Sequence, residues 1–216
     1  MKISVIVPTK NEPKINELVK EINKNLSGTS HEIIVVDKSD VTPKLNNVKL
    51  VMQKSDGLGN AVLEGVKVAR GSIIVTMDAD FSHRPQDIKK LLEKMDDYDV
   101  VIGSRFVEGG ETKDVTHRRI ASFLMRKMVS LILWLPIKDN MSGFIAVRAK
   151  IYKKFKLNPI GYKINMEILY KAKKAGLKIA EVPITFVKRK QGKSKASTSE
   201  AFKILFYALR LRLERD

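Results

Sequence analysis

Ser72-Ile-Ile-Val-Thr-Met-Asp78-Ala-Asp80 joins an apolar, β-branched run to two carboxylates one residue apart. The run, residues 73–77, has the composition of a buried strand. Side chains at i and i+2 of an extended chain point the same way, with Cα atoms ~7 Å apart. The strand therefore predicts two acidic groups presented together at its C-terminal end. Such a pair is costly unless a cation or a set of donors offsets it. Oxygen ligands of this kind suit Mg2+ or Mn2+ bridging to a phosphate group. A surface Asp-x-Asp turn is the plainer alternative, and the surroundings must decide.

Upstream, residues 2–7 form another apolar run, stopped by Pro8 and followed by the polar turn Thr9-Lys10-Asn11-Glu12-Pro13. Ile15, Leu18, Val19, Ile22 and Leu26 recur with a helical period. Glu32-Ile-Ile-Val-Val-Asp37 is a second strand that ends in a carboxylate, and residues 48–52 are a short third. Gly57-Leu-Gly59-Asn60 opens a helix carrying Ala61, Val62, Val66 and Ala69. The strand before Asp78 is then the fourth. Alternating strands and helices predict a mainly parallel sheet with right-handed crossovers, in which ligands sit beyond the strand C-termini. Thr9, Glu12, Asp37, Asp78 and Asp80 all fall on that edge. One of these acids would pass as a helix cap; four at three strand ends point to a site.

Downstream, residues 85–95 read as a helix with Pro85 near its start, and residues 98–102 as a fifth strand ending at Gly103-Ser-Arg105. Arg105 is either an ion-pair partner of Asp78 or Asp80, or a ligand contact. Residues 116–135 form a long helix whose apolar residues spread beyond one stripe. Arg126 and Lys127 interrupt it, so it falls short of the ~20 apolar residues of a membrane span. It is either a core helix with an exposed apolar flank or one that lies partly on a membrane. A turn at 139–143 leads into a strand over 144–147, and a helix follows residues 158–162. Residues 178–187 are the last strand, and Pro183 places it at a sheet edge. The basic stretch 188–199 is either simply solvated or ordered over a phosphate. Residues 200–215 form a basic amphipathic helix with Phe202, Leu205, Phe206, Leu209 and Leu213 on its apolar face.

The 216 residues suffice for one α/β domain, and no linker or repeat suggests a second. There is no cysteine, which excludes disulfides and thiolate-bound zinc and fits a reducing cytosol. The balance of 41 Lys+Arg against 24 Asp+Glu, net +17, predicts a polyanionic partner: nucleic acid, a phosphorylated ligand or an anionic membrane. The N-terminus runs straight into a strand pattern, so no signal peptide is expected.

The ordered series of motifs resembles inverting glycosyltransferases of family 2, with the GT-A fold. It comprises Val5-Ile-Val-Pro8-Thr-Lys-Asn11-Glu12, Val35-Val-Asp37, Gly57-Leu-Gly59-x-Ala61 and Met77-Asp-Ala-Asp80. Gly103-Ser-Arg105-Phe-Val-x-Gly-Gly110, Arg118-x3-Ser122, Asp139-x2-Ser-Gly-Phe144, Asn158-Pro-Ile-Gly-Tyr-Lys163 and Glu181-Val-Pro-Ile-Thr-Phe186…Gly192-x-Ser-Lys195 narrow it. That set is similar to dolichyl-phosphate mannose synthases and their polyprenyl-phosphate relatives, over nearly the whole chain.

The resemblance implies a single catalytic domain over 1–216, with a nucleotide-sugar half at 1–104 and an acceptor half at 105–216 that ends in the amphipathic helix. Pro8, Glu12 and Asp37 would hold the donor nucleotide. Asp78 and Asp80 would hold Mg2+ or Mn2+, Asp80 more directly, with Ser82 as a weaker ligand where the family often has Gln. Arg105, Arg118 and Ser122 would grip the acceptor phosphate, and Arg189 and Lys195 would lie in a loop over the donor. Asp80, Arg105 and Arg118 would carry the transfer. GDP-mannose is the favoured donor, UDP-glucose the next, and a dolichyl or other polyprenyl phosphate the acceptor. The resemblance also implies a place at the cytoplasmic face of a membrane, on an anionic surface or through a membrane-anchored partner. Nucleotidyltransferases and dinucleotide oxidoreductases lack support, because no Gly-rich phosphate loop follows the first strand. A nucleic-acid binder is disfavoured because the basic residues do not interleave with aromatics as a stacking platform.

Overall fold

Residues alternate sides along the first strands. Ile6, Ile34, Val36 and Ile74 enter one apolar core, and Val5, Val7, Ile33, Val35, Ile73 and Val75 enter another on the opposite face. Strands buried on both faces need helices on both, and the chain supplies them. The computed structural model describes residues 2–113, 116–159, 163–187 and 198–214. In chain order the elements are β1 (Ile3–Thr9), α1 (Ile15–Asn25), β2 (His31–Asp37), β3 (Lys49–Met52), α2 (Leu58–Val68) and β4 (Ile73–Thr76). A 3-10 turn (Pro85–Asp87) leads into α3 (Ile88–Glu93), then β5 (Val100–Ser104), β6 (Glu111–Thr112) and α4 (Thr116–Leu133). The chain continues through β7 (Ile145–Arg148), α5 (Ala149–Lys154), α6 (Ile164–Lys174), β8 (Ile179–Pro183), β9 (Thr185–Phe186) and α7 (Thr198–Leu213).

Seven strands make one sheet in the order β3-β2-β1-β4-β7-β5-β8, and β6 pairs with β9 separately. The sheet is mainly parallel, as expected; among the described residues only β7 opposes its neighbours, β4 and β5. Its antiparallel course was not foreseen, because a short buried run looks the same in either direction. β1, β2 and β4 point the same way, so their C-terminal ends share one edge. β8 is the edge strand at the far side, as Pro183 predicts.

Three expectations change. Pro8 does not stop β1, which runs on to Thr9. Ile6 accepts from Met77 N on the β4 side. Pro8 faces the same side two residues on, past the last β4 pair, Ile6–Thr76, so its missing N–H interrupts no ladder. Asp78 and Asp80 are not on a strand, since β4 ends at Thr76 and both lie in the turn that follows. Phe81 in that turn has φ 60°, which bends the chain sharply.

The third change concerns the amphipathic helices. α7 has two apolar faces. Ile204, Tyr207, Ala208 and Leu211 are buried, whereas Phe202, Phe206, Leu209 and Leu213 are exposed. α4 packs against α7 and likewise buries Val129 and Leu133 while exposing Ile120, Phe123, Leu124, Met128, Leu131 and, just past its end, Trp134. Each of the two packed helices thus keeps apolar residues on its outer side. No helix among the described residues is long and apolar enough to cross a membrane.

Candidate active site

Parallel register brings the first polar residues together. Thr9 at the end of β1 lies beside Asp37 at the end of β2. Asp37 is fully buried. Its Oδ1 accepts from the Ser39 hydroxyl at 2.6 Å. Its Oδ2 and the Thr9 hydroxyl are buried with no hydrogen-bond partner among the described residues. Buried polar atoms left unpaired are costly, and here they sit at the sheet edge where a ligand would supply donors. Asn11, with φ 52°, locks the two loops together. Its N–H donates to Ser39 Oγ at 2.7 Å, its amide donates to Asp40 at 2.8 Å, and its side-chain oxygen accepts from Asp40 N at 3.0 Å. Glu12 is half-buried and accepts from Lys14 N at 3.3 Å, shaping the entry to α1.

The Asp78–Asp80 turn is braced from behind. Ser82 is fully buried, and its N–H and hydroxyl donate to Asp80 Oδ1 at 3.0 and 2.5 Å. Ser82 therefore stands behind Asp80 as its donor. His83, which sequence reasoning passed over, is 1% exposed. Its Nδ1 accepts from Asp78 N at 3.1 Å. Its ring stacks on Phe144 at 5.1 Å and meets the edge of Phe186 at 5.5 Å. Burial holds its pKa below the ordinary value, against the pull of the Asp78 and Asp80 carboxylates. A neutral ring accepting at Nδ1 is what the Asp78 N–H requires. Asp78 keeps a quarter of its side chain exposed, 25%. Two carboxylates are oxygen donors of the kind that suits Mg2+ or Mn2+. Among the described residues no group of three or more His, Asp or Glu side chains forms a closed metal cage.

The end of β5 carries the second cluster. Arg105 is engaged by Asp139. Its N–H, Nε and one terminal nitrogen donate to Asp139 at 3.0, 2.8 and 2.8 Å. Asp139 is fully buried, and the N–H groups of Lys138 and Asp139 donate to Glu181 on β8 at 2.7 and 3.0 Å. Arg126 of α4 completes the cluster, its guanidinium lying 3.3 Å from the centre of the Phe106 ring. Burial lowers its pKa, and Asp139 opposes the shift.

The two clusters meet. Phe186 contacts both His83 and, at 5.1 Å, Arg105. The turn after Asp139 reaches back to the acidic turn: a Cβ on Gly143 would lie 3.1 Å from Asp78 Oδ1 and 3.1 Å from His83 Cε1. Thr76 Oγ1 donates to the Gly143 carbonyl at 3.1 Å.

A carboxylate turn past β4, a half-paired carboxylate at the end of β2 and a guanidinium cluster past β5 lie at one edge of a mainly parallel sheet. Residues 4–156 match the family described as glycosyl transferase family 2. The chain belongs to this glycosyltransferase family. A "Dolichol-phosphate mannosyltransferase" of Pyrococcus furiosus is 39% identical over 98% of the chain, which spans 64% of that protein's length. A "Polyprenol monophosphomannose synthase" of Mycolicibacterium smegmatis is 33% identical, with 98% of this chain and 88% of that one covered. Glucosyl-3-phosphoglycerate synthase from Mycobacterium tuberculosis, solved with Mn2+, UDP and phosphoglyceric acid, superposes with TM-score 0.76 at 19% identity. The superposition covers 100% of this chain and 80% of the other, and establishes the GT-A fold.

In this family 2 glycosyltransferase, Pro8, Glu12, Asp37, Asp78, Asp80 and Ser82 gather at the β1–β2–β4 edge. Arg105 gathers there through Asp139. Ser122 lies half-buried on α4. The Arg118 side chain, Arg189 and Lys195 lie outside the described residues. Sequence reasoning missed His83, Asp139, Glu181 and Arg126. The motifs containing Asp139 and Glu181 were visible, but their pairings join residues distant in the chain.

Proposed function

We propose that this glycosyltransferase moves mannose from GDP-mannose to a dolichyl or other polyprenyl phosphate, with inversion, at a membrane surface. The joining of the Asp78–Asp80 turn to the Arg105–Asp139 cluster by the 139–144 turn and Phe186 carries this reading. On this reading a leaving diphosphate would lie next to an incoming phosphate. The names of the mannosyltransferase relatives supply the sugar and the lipid.

Residues 1–104 serve the donor. Pro8, Glu12 and Asp37 border its nucleoside, where the open Oδ2 of Asp37 accepts an N–H from the base. Asp78 and Asp80 would hold Mg2+ or Mn2+, which offsets the charge of the leaving nucleoside diphosphate. Ser82 fixes the Asp80 carboxylate, and His83 fixes the Asp78 backbone through its N–H. Arg189 and Lys195 add positive charge to the donor side. Residues 105–216 serve the acceptor, whose phosphate is held by Arg105, Arg118 and Ser122; guanidinium suits a phosphate because it stays charged and binds bidentately. That phosphate is already an anionic nucleophile near neutral pH, so no side chain is needed as a general base. In-line attack on the anomeric carbon, with the diphosphate leaving from the opposite side, inverts the linkage from α to β.

The apolar surface of α4 and α7 would rest in the headgroup region of an anionic leaflet, where the acceptor's chain is anchored. The deciding experiment supplies Mn2+ or Mg2+, farnesyl phosphate and a panel of nucleotide sugars that includes GDP-mannose and UDP-glucose. Release of GDP that depends on farnesyl phosphate is expected. Release from UDP-glucose alone would reassign the donor, and release from none would refute lipid-phosphate transfer.

A further inference from the structure

We propose that Arg126 is a positioning residue for Arg105, and that it supplies the positive charge that lets the acceptor-side cluster admit an anion. The proposal rests on the acceptor role of Arg105 given above. Arg126 follows Ser122 on α4 by four residues, so the two lie on one face of the helix. It is 5% exposed. One terminal nitrogen donates to the Lys138 carbonyl, which belongs to the peptide leading into Asp139. Asp139 in turn takes three hydrogen bonds from Arg105. Arg126 thus fixes the peptide that carries the carboxylate that aims Arg105. The Asn140 side chain adds to this clip by donating to the Arg126 carbonyl at 3.1 Å.

Packing alone does not account for a guanidinium at this position. Arg126 Nε is buried with no hydrogen-bond partner among the described residues. Neither Asp139 nor Glu181 bonds to it directly; the Asp139 side chain is taken up by Arg105, and Glu181 by backbone N–H groups. A buried cation with an unsatisfied donor costs more than an apolar residue of the same size stacked on Phe106. What the apolar residue would lack is charge. Asp139 and Glu181 contribute two negative charges, and Arg105 offsets one. Arg126 offsets the other. Without it the cluster is net negative in a poorly solvated place, where an acceptor phosphate would be repelled.

Two neutral variants of different shape test this. Arg126→Gln keeps a donor for the Lys138 carbonyl, and Arg126→Leu keeps the packing on Phe106. Both are compared with Arg126→Lys, which keeps the charge. The readouts are KM for farnesyl phosphate, KM for the nucleotide sugar, and Tm. The neutral variants are expected to raise the farnesyl phosphate KM about tenfold or more with the donor KM unchanged, and Arg126→Lys to recover most of the loss. Unchanged farnesyl phosphate KM in a folded neutral variant, or a parallel rise in both KM values, overturns the proposal. Failure of both neutral variants to fold does so too, by assigning Arg126 to the fold. Wild-type protein that does not bind farnesyl phosphate would instead refute the acceptor reading itself.

Discussion

Asp80 is held in place before any ligand arrives, because Ser82 gives its Oδ1 two hydrogen bonds. Asp80→Asn preserves the size of the side chain and removes its charge. Metal-dependent transfer is expected to fall ~100-fold or more, with weaker Mn2+ binding by electron paramagnetic resonance. EDTA is expected to silence the wild type and added Mn2+ to restore it. Wild-type turnover and Mn2+ affinity in the variant would take Asp80 out of the site. Gly143 makes a subtler test. Its added Cβ would sit 3.1 Å from both Asp78 Oδ1 and His83 Cε1, so these groups must yield by a few tenths of an ångström. Since a full 1 Å misplacement costs ~100-fold, Gly143→Ala is expected to lower kcat roughly tenfold while the protein remains folded; an unaltered kcat would show that the acidic turn tolerates movement. Asp37, Asp78, Asp80 and Arg105 were legible in the sequence because strand ends announce them. His83 was not. Its role depends on Phe144 and Phe186 closing around it, and no local pattern encodes that enclosure.

At the scale of elements, α7 is attached to the body through one buried hydroxyl as well as by apolar packing. Tyr207 is 1% exposed and donates to Glu167 of α6 at 2.6 Å. Glu167 is equally buried and also accepts from Lys171 at 2.7 Å and from Asn158 N at 3.1 Å. The Glu167 carboxylate and burial together hold the Tyr207 phenol protonated, well above its ordinary pKa, with burial the larger cause. Tyr207→Phe deprives a buried carboxylate of a donor, which costs about 2 kcal/mol. The expected reading is a Tm lower by roughly 4–8 °C, and no change in Tm would show that the remaining donors suffice. The strands and helices were legible where periodicity is strong. Ile15, Leu18, Val19 and Ile22 of α1 are all buried, as their spacing requires. Direction was not legible: β7 lies between β4 and β5 and opposes both. Nor was the split of apolar residues between the inner and outer faces of α4 and α7. Their apolar residues wrap far enough round the axis to serve a core and a second surface, and sequence alone does not say which residues take which.

The molecule as a whole combines a net charge of +17 with an apolar surface on two adjacent helices. Neither feature alone predicts a stable place on a membrane. Lys and Arg near an anionic leaflet contribute ~1 kcal/mol each and are screened by salt, whereas buried apolar area is not screened. Leu131 on α4 and Phe206 on α7 are 75% and 68% exposed, so neither is needed by the core. At one end of the surface the Arg212 guanidinium lies 4.2 Å from the Trp134 ring, an aromatic and cationic pair suited to the headgroup level. In flotation with phosphatidylserine-containing vesicles the wild type is therefore expected to rise with the lipid at low salt. Raising the salt should weaken binding without abolishing it, since the apolar contribution persists. The double variant Leu131→Glu, Phe206→Glu should remain in the aqueous fraction at every salt concentration. It should still bind nucleoside diphosphate with Mn2+, because both residues lie outside the site. Its use of farnesyl phosphate dispersed in detergent should be nearly normal, whereas transfer to a long polyprenyl phosphate in vesicles should drop sharply. Wild-type protein that stays in the aqueous fraction at low salt would end direct docking and leave the same surface to a membrane-anchored partner, for which the double variant should then lose the interaction instead.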